Sequence, residues 1–305
     1  VYDKFDPPNI RLVPDHLMSY DYPMTSLPAP APWRDTLPEA TPPAGMAIYQ
    51  LPTGTYETRA AFAVRGGSFR DKRQFAATAI LVTHPNGDFL VDAGFGADVA
   101  AHVAMQPRFA RAPFQATRTV SQQLDDSGYD RTRLSGVFLT HSHWDHASGL
   151  DSLDLPVWMN RNELEYARGN RDGRVFRAVS PGHEIHEYVF DGPAYLGFPA
   201  SFDVHGDGSL VLALAAGHTT GSIVAFVTLP SGQRYAFIGD LTWQLDGIHR
   251  RVERPWLLRT LADSDAAQVR QGILRSAALT ELMQVVPAHD RRAYEGIPLL
   301  PGAMR

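Results

Sequence analysis

Four side chains able to bind a metal fall within the run Leu139-Thr140-His141-Ser142-His143-Trp144-Asp145-His146. Imidazole nitrogen together with carboxylate oxygen suits zinc and similar divalent ions. Alternate residues at the end of a strand can point two imidazoles, those of His141 and His143, at one ion. Asp145 and His146 lie just beyond and reach a second. The plainer alternative is a polar loop rich in histidine. It competes poorly, because Val137-Phe138-Leu139 is a short apolar strand, which places the cluster at a strand terminus, where sites are commonly built.

Two ions need more donors than this cluster holds, so further histidines and a bridging carboxylate must follow, each closing an apolar strand. His218 follows Leu210-Val211-Leu212-Ala213-Leu214, inside Ala216-Gly217-His218-Thr219-Thr220-Gly221-Ser222, whose glycines allow a tight turn and close approach of backbone. Asp240 follows Tyr235-Ala236-Phe237-Ile238-Gly239, and His289 follows Val285-Val286-Pro287-Ala288. The recurrence of a polar residue at the end of an apolar run carries more weight than any single match.

With these residues in that order, the chain resembles the metallo-β-lactamase superfamily of metallohydrolases from about Met46 to about Pro298. The motif His-x-His-x-Asp-His is highly specific when Gly-His-Thr, Gly-Asp and a last histidine follow. The resemblance implies that His141, His143 and His218 hold a first metal, that Asp145, His146 and His289 hold a second, and that Asp240 bridges them. It also implies that Asp92, in Val91-Asp92-Ala93-Gly94, supports the site from behind its ligands; a turn or helix N-cap role is the even alternative. The implied fold is α/β, an αββα sandwich of two mixed β-sheets with helices on the outer faces.

The elements that must position these side chains are visible as patterns. Arg59-Ala60-Ala61-Phe62-Ala63-Val64, Ala77-Thr78-Ala79-Ile80-Leu81-Val82 and Phe89-Leu90-Val91 read as strands, with Asn86-Gly87 as a hairpin turn in which both central residues take positive φ. Ser231-Gly232 suggests a second hairpin between Ile223–Leu229 and Tyr235–Ile238. Helices are expected at about Ala97–Met105, Thr119–Ser127, Arg161–Arg168 and Asp263–Ala278. Strand groups and intervening helices in both halves fit two sheets face to face with helices outside.

Residues 1–45 hold Pro7-Pro8, Pro28, Pro30, Pro32, Pro38 and Pro42-Pro43, a density that forbids continuous helix or central strand. This extension precedes the catalytic domain, 46–305. Ile10, Leu12, Val13, Leu17, Met18, Tyr20 and Tyr22 favour docking, on the domain or at a homodimer interface, over a disordered tail.

At 305 residues, 44% of them hydrophobic, the chain can bury a substantial core. No transmembrane span is present. A net charge of -5 without a long Lys/Arg run argues against a phosphate-tracking groove, hence against nucleic acid as partner, and favours a neutral, partly hydrophobic small substrate. Cysteine is absent, so thiolate ligands, disulfides and cysteine nucleophiles are excluded. The chain opens on Val1 rather than methionine, which leaves a removed N-terminal segment, and a cytoplasmic, periplasmic or secreted location, all open.

Two divalent ions, Zn2+ by the donor set, at roughly 3.5 to 4 Å share one water and bring its pKa to about 7, so a bridging hydroxide serves as nucleophile. Asp145 is the candidate for proton handling between that hydroxide and the leaving oxygen. The resemblance also orders the substrates. A carboxylate bridge looks like the lactonase, glyoxalase II and phosphotriesterase branches and demotes β-lactam hydrolysis. Glyoxalase II relatives add a basic patch, and no such cluster near Arg250-Arg251 ties to the pocket. The motif set is most similar to N-acyl homoserine lactonases and methyl-parathion-hydrolase-like enzymes, which makes a lactone or related carboxylic ester the leading substrate. Phosphotriesters, aryl esters and thioesters follow. Iron redox chemistry on the same fold ranks lower, since diiron members replace part of the histidine cluster by glutamate.

One departure stands out. Quorum-quenching lactonases commonly carry a tyrosine three residues after the bridging aspartate, and Trp243 stands there instead. Its indole reads either as a substrate-binding wall with one hydrogen-bond donor, the favoured reading, or as a core residue. Trp144 either lines the entrance or packs beneath the site. Phe69, Phe75, Phe176, Tyr188, Phe190, Tyr195 and Phe198 suit an acyl or aryl group, and core packing explains them equally well. His183 and His186 read as surface or substrate-side residues, and His16, His84, His102, His205 and His249 as solvated or core hydrogen-bonding residues.

Overall fold

Two β-sheets pack face to face, each covered on its outer side by helices, in a computed structural model that describes residues 26–302. The first sheet contains β1 (Ala47–Arg59), β2 (Lys72–Thr83), β3 (Asp88–Val91), β4 (Phe114–Ala116), β5 (Leu134–Phe138), β6 (Val157–Asn160) and β7 (Ile185–Tyr188), ordered β4-β1-β2-β3-β5-β6-β7. β1 to β3 are antiparallel, whereas β3, β5, β6 and β7 run parallel. Parallel neighbours need crossovers: Val99–Ala104 and Val120–Ser127 lie between β3 and β5, the short turns Trp144–Ala147 and Ser148–Ser152 between β5 and β6, and Arg161–Gly169 with Arg174–Val179 between β6 and β7. The second sheet contains β8 (Ser201–Asp203), β9 (Leu210–Leu214), β10 (Ile223–Thr228), β11 (Arg234–Phe237) and β12 (Gln284–Val286), ordered β12-β11-β10-β9-β8. Only β11 and β12 are parallel there, joined through the helices Leu245–His249, Trp256–Ala262 and Ala266–Ala278. Both sheets are therefore mixed.

The central strands are buried on both faces, which is why they read as near-continuous apolar runs. In β10, Ile223, Ala225 and Val227 face the first sheet and meet Ile80, Val82, Phe89, Val91 and Phe138, while Val224 and Phe226 face Val269 and Ile273 of the outer helix. Leu81, Leu90, Val137 and Met159 point the other way, onto Leu124, Leu164 and Phe176.

The expected strand Arg59–Val64 is not one: β1 ends at Arg59 and Ala60–Ala63 form a helical turn. The chain must reverse there into β2, and it does so through Ala60 N to Asp71 O and Ala61 N to Ser68 O. Gly67 comes so close that a Cβ on it would sit 2.1 Å from Ala60 O. The Asn86-Gly87 hairpin is present, but of its central pair only Gly87, at φ +121°, is positive. The loop is longer than two residues, because the buried Asp88 carboxylate draws in His84 N at 2.6 Å and Arg133 Nε at 2.9 Å. The Ser231-Gly232 hairpin and the four expected helices are present, the last beginning at Ala266 after an Asp265 cap.

Ile10, Leu12, Val13, Leu17, Met18, Tyr20, Tyr22 and His16 lie outside the described residues. Residues 26–45 run along the second sheet's side of the molecule. Leu27, Trp33 and Leu37 pack on its outer cluster, and Leu27 exchanges hydrogen bonds with Arg251. No described helix is long and apolar enough to cross a membrane.

Candidate metal centre

Each of the seven expected ligands leaves the C-terminal end of a strand, and these ends meet along one edge of the sandwich. Asp92, just past β3, sets the first turn: it adopts φ +61°, unusual for a non-glycine, and its N donates to Phe138 O. Its carboxylate accepts Thr140 N at 2.7 Å and Thr140 Oγ1 at 2.9 Å and lies 2.8 Å from His146 Nδ1. The two readings of Asp92 are thus one device, a turn residue that also orients His146, an expected ligand. After the turn, His143 caps the helix Trp144–Ala147, which carries Asp145 and His146 in its single turn.

Gly217, at φ +137°, and Gly239, at φ +50°, bend the chain just before His218 and Asp240. Alanine at Gly217 would also drive its Cβ to 2.7 Å from Val269 N. His289 is fixed through Nδ1, 2.7 Å from Ala76 O.

The side chains converge in two groups, His141, His143, His218 and Asp240 in one, Asp145, His146 and His289 in the other, with ligand atoms within 4.8 Å of one another in each. Asp240 spans both. Its Oδ2 lies 3.4 Å from His218 Nε2 and 3.8 Å from His141 Nε2. Its Oδ1 lies 3.3 Å from His146 Nε2 and 3.0 Å from His289 Nε2. His143 turns Nδ1 inward, 3.0 Å from His218 Nε2, and keeps Nε2 near Tyr166 Oη. Asp145 Oδ2 is 3.4 Å from His289 Nε2.

The donor set fits a pair of cations. The buried His141 Nε2, His146 Nε2, His289 Nε2 and Asp240 Oδ1 make no well-aligned hydrogen bond, although Asp240 Oδ1 stands 3.3 Å from His146 Nε2 and 3.0 Å from His289 Nε2. Leaving such atoms unpaired is costly unless something takes their lone pairs. The electrostatics agree. Burial and neighbouring imidazoles hold His141 well below the usual imidazole range, and burial with His218 does the same to His143. Burial opposes charge on His146 too, yet Asp92 and Asp240 together lift it well above that range. His289 is likewise raised, against burial, by Asp240 and Asp145. Burial would raise Asp240, but His289 and His146 hold it well below the carboxylate range.

Several residues without a sequence signal complete the arrangement. Tyr56 of β1 donates its hydroxyl to Asp145 Oδ2 at 2.8 Å and packs edge-on against His289. Burial first, then Asp145, push its phenol well above the ordinary range, so it remains a donor. Buried Glu163 clasps the two histidine-bearing loops: it accepts Ser142 N at 2.7 Å, Ser142 Oγ at 2.6 Å and Gly221 N at 3.2 Å, and also Thr219 Oγ1. Asp263 lies 2.9 Å from His218 Nδ1 and 2.8 Å from Arg254 Nη1. Burial works against Asp263, but Arg254 and His218 hold it below the carboxylate range. Arg254 also donates to the Asp240 carbonyl.

Trp243 differs from the expected substrate donor. Its Nε1 donates to Asp240 Oδ2 at 2.7 Å, so the indole hydrogen is already committed to that carboxylate. Arg254 lies over its ring, 4.5 Å from the centroid, and Phe75 meets it edge-on. Trp144 packs beneath the site, stacked on Phe95 at 5.4 Å. Of the aromatic candidates Phe75 reaches the site, stacked 5.3 Å from His289. Phe176, Tyr188, Tyr195 and Phe198 are core residues, and Phe69 is exposed. His183 and His186 are not on the substrate side. His183 binds the carbonyls of Leu155 and Leu150, and His186 stacks on Trp158. His84 and His102 are buried and hydrogen-bonded, to Asp207 and Ser148.

Residues 73–289 match the metallo-beta-lactamase superfamily. The chain belongs to that superfamily. A protein of Mycobacterium tuberculosis named probable metallo-hydrolase is 26% identical over 236 residues, 71% of this chain and 75% of its own length. N-acyl homoserine lactonase AttM of Azorhizobium caulinodans is 24% identical over 243 residues, 73% of this chain and 84% of its own. Among solved structures, an N-acyl homoserine lactone hydrolase with N-hexanoyl-L-homoserine at its catalytic metal centre superimposes with a TM-score of 0.64 at 17% identity, over 83% of this chain and 97% of that one. At that identity the likeness establishes the fold. The chain is therefore a metallohydrolase with candidate ligands for a dimetal site.

Proposed function

We propose that this metallohydrolase opens a lactone or cleaves a related carboxylic ester, with N-acyl homoserine lactones as the leading substrates. The observation that carries the reading is Asp240, whose two oxygens face two separate groups of candidate ligands. His141, His143 and His218 would hold one ion and Asp145, His146 and His289 the other, with Asp240 between them. Nitrogen and oxygen donors without thiolate make zinc the expected metal. When bound, such a pair supplies Lewis acidity at the substrate oxygen and a water acidified to about neutral pH.

The chain's own residues do the rest. Asp145 is the proton carrier: it stands at the edge of the second group, and its Oδ2 is held by the Tyr56 hydroxyl. Trp243 steadies the bridging carboxylate through Nε1. Phe75, Tyr56 and the half-buried Trp243 ring give the site apolar walls, suited to a neutral, partly hydrophobic substrate and to the exclusion of water. The AttM lactonase relative and the lactone hydrolase neighbour support the same substrate class.

The test is a proton-release assay on the metal-loaded chain with N-acyl homoserine lactones beside an aryl ester, a phosphotriester and a β-lactam. Acid release from the lactones is expected. Turnover confined to another of these substrates refutes the lactone reading. Asp240→Ala should lose metal and nearly all turnover while remaining folded; retained metal content and wild-type activity would rule out the bridging role.

A further inference from the structure

Half of the exposed large hydrophobic side chains among the described residues lie on two neighbouring segments at the rim of the site. One is the tip between β1 and β2, with Phe62 and Phe69 at 40% and 52% exposure, edge-to-face at 5.5 Å. The other is the helix Trp256–Ala262, which buries none of its residues and exposes Trp256, Leu257 and Leu261. Arg65 N donates to Glu253 O at 3.0 Å, which ties tip to helix. The rim is continuous with the site: Arg254 and Asp263, on either side of the helix, contact the Asp240 carbonyl and His218, and β1 and β2 carry Tyr56 and Phe75 inward.

The same two segments are strongly basic. Residues 59–73 and 250–262 carry nine Lys/Arg against two acids, Asp71 and Glu253, in a chain whose net charge is -5; Arg254 is buried against Asp263, and Glu57 and Asp246 pair with Lys72 and Arg73. The sequence shows no basic run because the fold joins these segments from opposite halves. Arg65 and Arg70 are exposed and make no ion pair among the described residues, whereas Lys72, Arg73 and Arg259 are paired.

We propose that this face docks on an anionic lipid bilayer, with Phe62, Phe69, Trp256, Leu257 and Leu261 in the interface and Arg65 and Arg70 among the headgroups. Aromatic and leucine side chains beside unpaired basic ones are the chemistry of interfacial binding. A small soluble anion would leave the apolar side chains without a role. A second copy is disfavoured by charge, because a two-fold contact would set this basic face against itself. Docking presents the mouth to molecules partitioned in the membrane, and it stands independently of the substrate proposed above.

Flotation of the full metal-loaded chain with vesicles of phosphatidylcholine alone, and of phosphatidylcholine mixed with phosphatidylglycerol, tests the proposal. Binding to the anionic vesicles is expected, weaker in high salt, with each basic side chain near the surface contributing about fivefold. Arg65→Glu with Arg70→Glu should weaken it by about 25-fold or more. Phe62→Ser with Phe69→Ser should weaken binding to the same vesicles, and both double variants should keep wild-type circular dichroism and turnover of a soluble substrate. The proposal is overturned if the wild type floats no better with anionic than with zwitterionic vesicles, or if the arginine variant binds as well as the wild type. It is equally overturned if the phenylalanine variant dissociates a dimer in analytical ultracentrifugation while the wild type binds no vesicle.

Discussion

Replacing Tyr56 by phenylalanine removes one oxygen and leaves the ring against Phe75, Trp144 and His289. That oxygen is the donor to Asp145 Oδ2 at 2.8 Å; His289 Nε2 stands off at 3.4 Å and faces Asp240 as well. A hydrogen bond to a charged group contributes about 1.5–3 kcal/mol, which is roughly a 10- to 150-fold change in an equilibrium that depends on how Asp145 is held. Loss of an outer partner of a metal ligand costs about 10- to 100-fold in affinity or activity, the same range. Tyr56 touches only the group formed by Asp145, His146 and His289, so the effect should fall on one ion of the two. The assay is a chelator titration followed by metal analysis, beside kcat and KM. In Tyr56→Phe one equivalent should leave at markedly lower chelator concentration while the other stays at its wild-type midpoint, and kcat should fall more than KM changes. Wild-type retention of both ions, or equal weakening of both, would refute the reasoning, the second because it signals a loosened fold.

Asp263→Ala strips His218 of its orienting partner and leaves Arg254 charged and buried, both side chains being almost inaccessible. Breaking a buried pair this way costs about 3–5 kcal/mol, a Tm decrease on the order of ten degrees by thermal denaturation; a Tm within two degrees of wild type would show that the pair is not held as described. His146 and His289 are both held above the usual imidazole range by the carboxylates beside them, so protons compete with incoming cations for these nitrogens more strongly than they would at a free imidazole. Metal affinity should therefore rise with pH, and calorimetric titration in buffers of different ionisation enthalpy should register proton release. Affinity that is flat from mildly acidic to mildly alkaline pH would contradict this.

The candidate ligands stood out in the sequence because they lie within a few residues of where apolar strands stop, four of them after β5 and one each after β9, β11 and β12, a local event written in local sequence. The two sheets were legible for the same reason, since β5, β9, β10 and β11 appear as apolar runs of strand length. Where local pattern and chain reversal competed, as at Ala60–Ala63, pattern alone pointed to a strand and the need to turn back into β2 prevailed. The helices Arg174–Val179 and Trp256–Ala262 were not legible: the first is short, and the second follows Pro255 and buries none of its residues.

By itself, then, the sequence determined which side chains could bind cations, in what order, and that they would sit at strand ends. Only the tertiary structure decided who supports them. Tyr56, Arg254 and Asp263 contact candidate ligands 14 to 89 residues away, and Glu163 holds the loops that carry His141, His143 and His218; no spacing rule connects a phenol on β1 to a carboxylate in the turn after β5. Likewise residue type alone left the donor of Trp243 free for a substrate, and only the folded turn after β11 gives it to Asp240 Oδ2, while the basic, aromatic rim exists only where the β1–β2 tip meets residue 253. Ligand identity depends on residue type at one position, whereas orientation and surface charge depend on distances between positions, and those are set by packing.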